Sequence, residues 1–181
     1  MTRNSRKITP DPETIAKLRF LILDVDGVMT DGSICYTSSG EEMKTFDVKD
    51  GAGMKYWARA GHRAGIITGR SSPMVERRAK ELDIGFVIMN AKFKLPALEE
   101  MLAIAGVEPA EVAMVGDDLP DLPLIRRVGF GVAVADAVDE VKEAAAMVTE
   151  RKGGRGVVRE VVEFILKSQG RWDAIMERYL K

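Results

Sequence analysis

Two aspartates stand directly after a short apolar run, and their spacing allows them to share one reaction. The run Leu21–Leu23 leads into Asp24 and Asp26, and Gly27 follows. An apolar stretch of this length is typical of a buried parallel strand, and open α/β sheets bind ligands beyond the carboxyl ends of such strands. One carboxylate there can attack as a nucleophile or bind a cation while the other transfers protons. Taken alone, the pair also fits a turn in which each aspartate hydrogen-bonds nearby backbone.

Three later segments place further polar groups after apolar stretches. A hydroxyl and a glycine follow residues 64–67, a lysine lies near the start of a predicted helix, and acids follow residues 112–115. Helix N-termini and ammonium groups bind phosphate oxygens, and carboxylates bind magnesium. Each segment is a weak signal alone, but together they form a specific combination: Asp24 and Asp26, Thr68 and Gly69, Lys94, and Asp117, Asp118 and Asp121.

In this order the residues resemble the four motifs of the haloacid dehalogenase superfamily, whose commonest members are magnesium-dependent phosphatases that form a phospho-aspartate. The likeness extends from about residue 18 to residue 169 and is closest to the 3-deoxy-D-manno-octulosonate 8-phosphate (KDO 8-phosphate) phosphatases. The resemblance implies a HAD-like Rossmannoid three-layer α/β/α sandwich with a central parallel sheet and a small β-hairpin in place of a cap domain. Five stretches carry it: Asp24–Gly32, Phe46–Gly53, Ile66–Arg70, Gly116–Leu119 and Lys152–Glu160.

The chemistry of such a phosphatase assigns roles to the acids. We expect Asp24 to be the nucleophile, with Mg²⁺ removing the repulsion between its carboxylate and the anionic phosphoryl group. The resemblance implies Asp117 as the second carboxylate on the metal and the backbone carbonyl of Asp26 as a third ligand. The side chain of Asp26 is then expected to act as general acid to the leaving group and later as general base to water.

The remaining candidates bind phosphate or substrate, or support the site. Thr68 is expected to donate to a phosphoryl oxygen, and Lys94 to neutralise charge and orient the nucleophile. Asp118 and Asp121 are expected to position Lys94, the metal waters or the loop. Gly69, Arg70 and Arg155 are, with Thr68, the candidates for substrate binding. A guanidinium such as that of Arg155 pairs with a sugar-acid carboxylate in a bidentate way that a lysine cannot reproduce, and Arg70 is the second arginine candidate.

The glycine- and arginine-rich segment 151–156 has two interpretations. Its composition fits a loop that links two elements. The resemblance implies that it reaches the active site of an adjacent subunit in a homotetramer and contacts the sugar acid.

The expected substrate is KDO 8-phosphate, a phosphorylated sugar acid and precursor in lipopolysaccharide synthesis. The family's lysine motif, Gln-Gly-x-x-Asp-Lys, is altered here, since Met89, Asn90 and Phe93 replace its glutamine, glycine and aspartate. A nine-carbon sugar acid 9-phosphate or a broad range of small phosphates are therefore alternatives. A hypothesis from another class is an oligomeric binding module that has lost turnover.

The amino-acid composition argues against several classes of partner and site. The chain has 27 Lys and Arg against 28 Asp and Glu, so no basic excess favours nucleic acid. The single cysteine, Cys35, excludes an internal disulfide, and the single histidine, His62, excludes a histidine metal site. No run approaches the ~18 apolar residues of a membrane span. We expect a soluble, cytoplasmic protein with no membrane partner.

Alternating strand-like and helix-like patterns predict one α/β domain over residues 11–170, which the resemblance implies is a HAD-like phosphatase domain. A flexible tail is predicted at 1–10 and a C-terminal helical tail at 171–181. A β-hairpin is predicted at about 31–47, with apolar side chains that favour burial against a neighbouring subunit. Predicted strands cover 20–25, 63–67, 85–88, 112–115, 130–134 and 147–148, and predicted helices cover 72–82, 94–105, 119–127 and 138–145.

Overall fold

The computed structural model describes residues 11–180, and the tail predicted over 1–10 lies outside the described residues. Its strands are β1 (Phe20–Leu23), β2 (Cys35–Tyr36), β3 (Glu42–Met43), β4 (Arg63–Ile67), β5 (Phe86–Ile88), β6 (Val112–Gly116), β7 (Phe130–Ala133) and β8 (Met147–Val148). Its α-helices are α1 (Pro12–Lys17), α2 (Val48–Arg59), α3 (Pro73–Glu81), α4 (Lys94–Ala105), α5 (Leu122–Arg127), α6 (Asp139–Ala144), α7 (Val157–Ser168) and α8 (Trp172–Met176).

Six strands form one parallel sheet in the order β5-β4-β1-β6-β7-β8. The strands β1, β6 and β7 consist of residues that are all buried, as expected for a sheet covered on both faces. On one side α7 packs against α1, α2 and α8, and a second group is formed by α4, α5 and α6 in succession. The predicted three-layer α/β/α sandwich with a parallel sheet is confirmed.

The strand order brings the predicted site residues to one edge of the sheet. β1 lies between β4 and β6, and Leu23 is level with Ile66 on one side and Val115 on the other. Asp24, Thr68 and Asp117 follow these positions by one or two residues, so the three strand ends deliver them side by side. This edge is also where the strand order reverses, which is where open α/β sheets bind ligands.

β1 ends two residues earlier than predicted because the chain leaves the sheet at Asp24. Residues Val25–Met29 form a kinked turn that the Thr30 backbone N–H closes by donating to Val25 O at 3.0 Å, and within it Gly27 has a φ of 90°. A Cβ at Gly27 would lie 2.1 Å from Oδ2 of Asp117. Glycine therefore serves both the backbone conformation and the close approach of the Asp117 carboxylate.

The hairpin predicted at about 31–47 is present, but its paired strands are only two residues each. Cys35 pairs with Met43 and Tyr36 with Glu42. The side chains of Ile34, Tyr36 and Met43 are more than half exposed within one chain.

A buried acid fixes the start of α7 and the segment before it. Asp50 in α2 accepts a hydrogen bond from the Arg159 backbone N–H at 2.8 Å and so caps a neighbouring helix rather than its own. A Cβ at Gly53 would lie 2.9 Å from Cα of Arg159, so that glycine permits the close packing of α2 on α7. Burial raises the pKa of Asp50 to about 6.

The C-terminal residues pack on the same chain. Ile175 in α8 is buried, and the Tyr56 ring in α2 makes edge contacts with the rings of Trp172 and Tyr179 at centroid distances of 5.7 Å and 6.0 Å. Nε2 of His62 lies 3.0 Å from Oε1 of Gln169, a structural contact. Over residues 11–180 the helices are all too short or too polar to cross a membrane.

Candidate active site

A lysine joins two buried acids at the edge of the sheet. Lys94 is the first residue of α4, and its Nζ lies 2.9 Å from Oδ1 of Asp24 and 2.7 Å from Oδ1 of Asp121. Asp121 is fully buried, and its Oδ2 accepts a hydrogen bond from the Asp117 backbone N–H at 3.0 Å. Asp121 thus holds both the lysine and the loop that carries Asp117, while Lys94 orients Asp24.

Three carboxylates form a cluster of the kind that holds a cation. Asp24, Asp117 and Asp121 each offer an oxygen within 4.8 Å of the others. Both oxygens of Asp121 already accept hydrogen bonds, whereas Oδ1 of Asp117 is buried without a hydrogen-bond partner among residues 11–180. Asp24 and Asp117 are therefore the two acids with oxygen atoms available to a cation.

Asp24 and Asp117 resist ionisation when no cation neutralises them. Burial and the charge of Asp121 raise the pKa of Asp24 to about 6, although Lys94 opposes the change. Burial together with the charges of Asp24 and Asp121 raises the pKa of Asp117 to about 8. Burial lowers the pKa of Lys94, but Asp24 and Asp121 outweigh it and the net direction is upward. Lys94 is therefore a fixed positive charge. Its single charge does not balance the carboxylates around it, and a bound cation would supply the rest.

Asp26 belongs to a second group of charges, built largely by the hairpin. Nζ of Lys44 contacts its Oδ1, and Nε of Arg70 lies 3.7 Å from its Oδ2. Glu42 completes the group, since its Oε1 accepts a hydrogen bond from Arg70 at 2.7 Å and lies 3.6 Å from Nζ of Lys44. These four side chains, Asp26, Glu42, Lys44 and Arg70, form a closed ring in which each cation contacts both acids; we call it the charge ring.

Thr68 and Gly69 lie where β4 ends. Thr68 is buried, and its Oγ1 is 3.5 Å from the backbone N of Arg70. Gly69 is exposed, and a Cβ there would have only Ala91 O nearby, at 3.9 Å. The space around Gly69 therefore does not require glycine.

Asp118 and Arg155 lie outside both groups. Asp118 is exposed, and its carboxylate accepts a hydrogen bond from the Leu119 backbone N–H at 2.8 Å. The Arg155 side chain is 69% exposed and lies 3.2 Å from Oδ2 of Asp31.

The segment 151–156 packs on the site loop of its own chain. Gly154 donates its backbone N–H to Val28 O at 2.8 Å. A Cβ at Gly153 would lie 1.8 Å from Gly27 O, so the two glycines let this segment lie directly on the loop after β1. Arg155 is thereby held beside the loop that carries Asp24 and Asp26.

Sequence reasoning missed Glu42 and Lys44. The apolar residues of the hairpin predict burial against a neighbouring subunit, whereas its polar residues face the site. The sequence signal for this polar face is the alternation of side chains along a strand. Glu42 and Lys44 share one face, and the exposed Met43 lies on the other.

Comparisons with known proteins show what this chain is similar to. Residues 87–161 match the family of haloacid dehalogenase-like hydrolases. The KDO 8-phosphate phosphatase KdsC of Yersinia pestis is 46% identical over 85% of this chain and 82% of its own length. KdsC of Escherichia coli K12 is 43% identical over 89% of this chain and 87% of its own.

A solved structure is similar over almost the whole chain. It is the crystal structure of the KDO 8-phosphate phosphatase from Moraxella catarrhalis in complex with magnesium, phosphate and KDO. The TM-score is 0.91 at 40% identity, over 97% of this chain and 99% of that one. Fold, site geometry and sequence together show that this chain belongs to the KDO 8-phosphate phosphatases, a family of phosphatases among the haloacid dehalogenase-like hydrolases.

Proposed function

We propose that this protein is a Mg²⁺-dependent phosphatase that hydrolyses KDO 8-phosphate to KDO and phosphate through a phospho-aspartate at Asp24. The observation that carries the proposal is the buried carboxylate of Asp24, oriented by Lys94 at 2.9 Å and placed beside the unpartnered Oδ1 of Asp117. A nucleophilic carboxylate next to a cation site is the arrangement that phosphoryl transfer to an acid requires.

The residues present fit a magnesium ion. Magnesium prefers oxygen ligands and keeps several waters, so a few carboxylate and carbonyl groups are enough. Asp24 and Asp117 would hold it, together with the backbone carbonyl of Asp26. The approach of Asp117 to Gly27, where a Cβ would lie 2.1 Å from its Oδ2, supports this set, because it brings the carboxylate against the backbone next to Asp26. When bound, the ion supplies charge neutralisation between the nucleophile and the phosphoryl group.

Each side chain of the site has its own role in the two steps of the reaction. A carboxylate oxygen of Asp24 attacks phosphorus, and the electron pair of the breaking P–O bond goes to the sugar oxygen, which takes a proton from Asp26. In the second step Asp26 takes a proton from the water that cleaves the phospho-aspartate. Lys94 balances charge on the phosphate, and Thr68 donates to a phosphoryl oxygen. Asp121 holds Lys94 in place, and Asp118 supports its loop.

The sugar acid needs cations beyond the phosphate site. Arg70 supplies a guanidinium group where β4 ends, Arg155 supplies one beside the loop after β1, and Gly69 leaves space at the end of β4. The similarity to the KDO 8-phosphate phosphatases of Yersinia pestis and Escherichia coli favours KDO 8-phosphate as the substrate. Its formation of KDO would place the enzyme in lipopolysaccharide precursor synthesis.

We further propose that copies of the chain assemble as a cytoplasmic homotetramer. The exposed apolar side chains of Ile34, Tyr36 and Met43 supply a surface for a neighbouring subunit. The segment 151–156 packs on its own site loop, and the exposed Arg155 side chain would leave its ion pair with Asp31 to reach a neighbouring active site, which the C-terminal segment would complete.

The substrate assignment is tested by comparing kcat/KM for KDO 8-phosphate, a nine-carbon sugar acid 9-phosphate and p-nitrophenyl phosphate, with and without Mg²⁺. We expect KDO 8-phosphate to exceed p-nitrophenyl phosphate by at least about 10²-fold, the factor that sugar-acid contacts worth about 2.7 kcal/mol would give. Arg155→Met should reduce the value for the sugar acid and leave the aryl ester unchanged. A preference for the nine-carbon ester, or equal values for all three, would overturn the assignment, and no Mg²⁺-dependent release from any ester would favour a binding module.

A second prediction concerns pH and the metal. The pKa of Asp117 is raised from 3.8 to about 8 in the folded chain, so the folded state retains a proton that the unfolded state loses. This stabilises the metal-free protein below pH 4, and the stabilisation is lost as pH rises through about 8. We expect the Tm of the metal-free protein to fall between pH 6 and pH 9, and Mg²⁺ to raise Tm more at pH 9 than at pH 6, because binding must displace the proton.

Asp117→Asn provides the decisive variant for this prediction. It should raise the metal-free Tm at pH 9 by roughly 2–4 °C, the effect of about 1 kcal/mol in a domain of this size, and remove the response to Mg²⁺. Asp83→Asn is the matched control, because Asp83 is exposed and outside the carboxylate cluster. A Mg²⁺ response that survives in Asp117→Asn would contradict the assignment of Asp117 as a ligand.

A further inference from the structure

Lys44 is a buried cation from the hairpin that contacts the side chain of Asp26. Its side chain is 2% exposed, whereas that of Asp26 is 23% exposed. A lysine ammonium is rarely removed from water unless acids surround it, and here Asp26 and Glu42 both do so. The contact is therefore a fixed part of the site rather than a mobile surface ion pair.

The two oxygens of Asp26 have different surroundings. Oδ1 accepts a hydrogen bond from Lys44, and Oδ2 is 3.7 Å from Nε of Arg70, beyond hydrogen-bond distance. An ammonium has three donors and no acceptor, so a proton on Oδ1 would face a donor. Lys44 thus occupies Oδ1, and Oδ2 is the oxygen left to exchange a proton with a bound substrate.

From this asymmetry we propose that Lys44 is a positioning residue for proton transfer at Asp26, an inference that rests on the proposed function. By holding Oδ1, Lys44 fixes the rotation of the carboxyl group and presents Oδ2 to the leaving group. The proton on Oδ2 passes to the sugar oxygen as the P–O bond breaks, and the electron pair of that bond stays on the sugar oxygen. Lys44 itself touches neither phosphorus nor the leaving group in this step.

Glu42 and Arg70 keep Lys44 in this orientation. Glu42 stands two residues before Lys44 on the same face of the hairpin, and its Oε1 lies 3.6 Å from Nζ of Lys44. Arg70 connects Glu42 to the end of β4 through a 2.7 Å contact. The charge ring thus attaches the hairpin to the ends of β1 and β4, two of the three strand ends that carry the site, which gives the hairpin a role in proton transfer.

The test uses the purified full-length protein and a series of alkyl and aryl phosphates without a carboxylate, whose leaving groups range from poor to good. General acid catalysis is needed for a poor leaving group and hardly at all for a good one. In Lys44→Met we expect kcat/KM to fall about 10²-fold for alkyl phosphates and less than about threefold for 2,4-dinitrophenyl phosphate, within the range that positioned proton transfer supplies. The variant Asp26→Asn lacks the general acid itself, so it should show the largest difference in loss between poor and good leaving groups.

Lys49→Met is the matched control, because Lys49 is an exposed lysine five residues away and outside the charge ring. It should leave the whole series unchanged. Wild-type activity on aryl and alkyl phosphates tests the proposed function separately: a wild-type protein without phosphatase activity would refute that function, whereas an active wild type with an equal loss across the series in Lys44→Met would refute only the role of Lys44.

Two further variants separate positioning from a loss of folding. Lys44→Gln keeps a donor for Oδ1, so the difference in loss between alkyl phosphates and 2,4-dinitrophenyl phosphate should be smaller than in Lys44→Met. It replaces Lys44→Met if that variant does not fold. In Lys44→Ala, added ethylammonium should restore activity on alkyl phosphates preferentially, with no effect on the control. Equal rescue on good and poor leaving groups, or a parallel loss in both Lys44→Met and Lys44→Gln, would overturn the proposal.

Discussion

Replacing Asp24 by asparagine is expected to lower kcat for KDO 8-phosphate by at least about 10⁴-fold, the order of loss found when a covalent nucleophile is removed. An amide of nearly the same size cannot attack phosphorus. The fold should persist, because Lys94 keeps its 2.7 Å contact with Asp121 when the charge at position 24 is lost. Steady-state phosphate release and thermal unfolding check the two parts of this prediction.

The matched control is Asp31→Asn, which removes an acid from the same loop that pairs with Arg155 at its exposed surface. This variant should retain turnover of p-nitrophenyl phosphate. If Asp24→Asn keeps more than about a hundredth of wild-type kcat, a loss below ~3 kcal/mol, Asp24 is not the nucleophile.

Replacing Lys94 by methionine is expected to affect both activity and stability. Its Nζ stands between the carboxylates of Asp24 and Asp121, and all three side chains are buried. Removing one partner from such a group leaves uncompensated buried charge and should lower the free energy of unfolding by about 3–5 kcal/mol. Loss of a positioned cation on the phosphate should lower kcat by about 10²–10³-fold.

Two variants separate the effect on activity from the effect on stability. Lys92→Met removes an exposed lysine from the same segment and should change neither quantity. The double variant Lys94→Met/Asp121→Asn should recover part of the stability, because it removes one unpaired acid, but none of the activity. Recovery of turnover in the double variant would show that Lys94 acts only on folding; both quantities follow from denaturant unfolding and kcat on KDO 8-phosphate.

Much of the sheet and its helices could be predicted because local pattern and tertiary environment agree. The prediction of a helix over 94–105 coincides with α4, where Lys94 begins the helix and Gly106 ends it in a left-handed conformation. The parallel strands were found as short apolar runs, since both faces of the sheet are buried. Where β1 was predicted to reach Val25, the site itself intervenes, because the chain must turn at Asp24 to bring the loop toward Asp117.

The charge ring could not be predicted from local pattern. Lys44 and Glu42 lie in a strand that pairs over only two residues, and their partners Asp26 and Arg70 are distant in sequence. An amphipathic hairpin is normally interpreted by its apolar face. The buried face here is polar, which became evident only when the fold placed it against Asp26.

The C-terminal segment shows a second limit. Composition allowed a linking loop and the resemblance implied contact with a neighbouring subunit, but neither indicated how tightly Gly153 and Gly154 pack on residues 27–31 of the same chain. Such packing depends on the absence of two side chains, and a glycine pair gives no sign of which backbone it will approach.

The central claim is that a covalent phosphate forms on Asp24. It is tested most directly with Asp26→Asn, in which a good leaving group still allows phosphoryl transfer but hydrolysis of the intermediate is slow. The variant is mixed with Mg²⁺ and 2,4-dinitrophenyl phosphate, quenched, reduced with borohydride and analysed by peptide mass spectrometry. We predict conversion of Asp24 to homoserine, and none when Mg²⁺ is omitted; an unmodified Asp24 alongside a burst of dinitrophenol, or homoserine at another acid, would contradict the account.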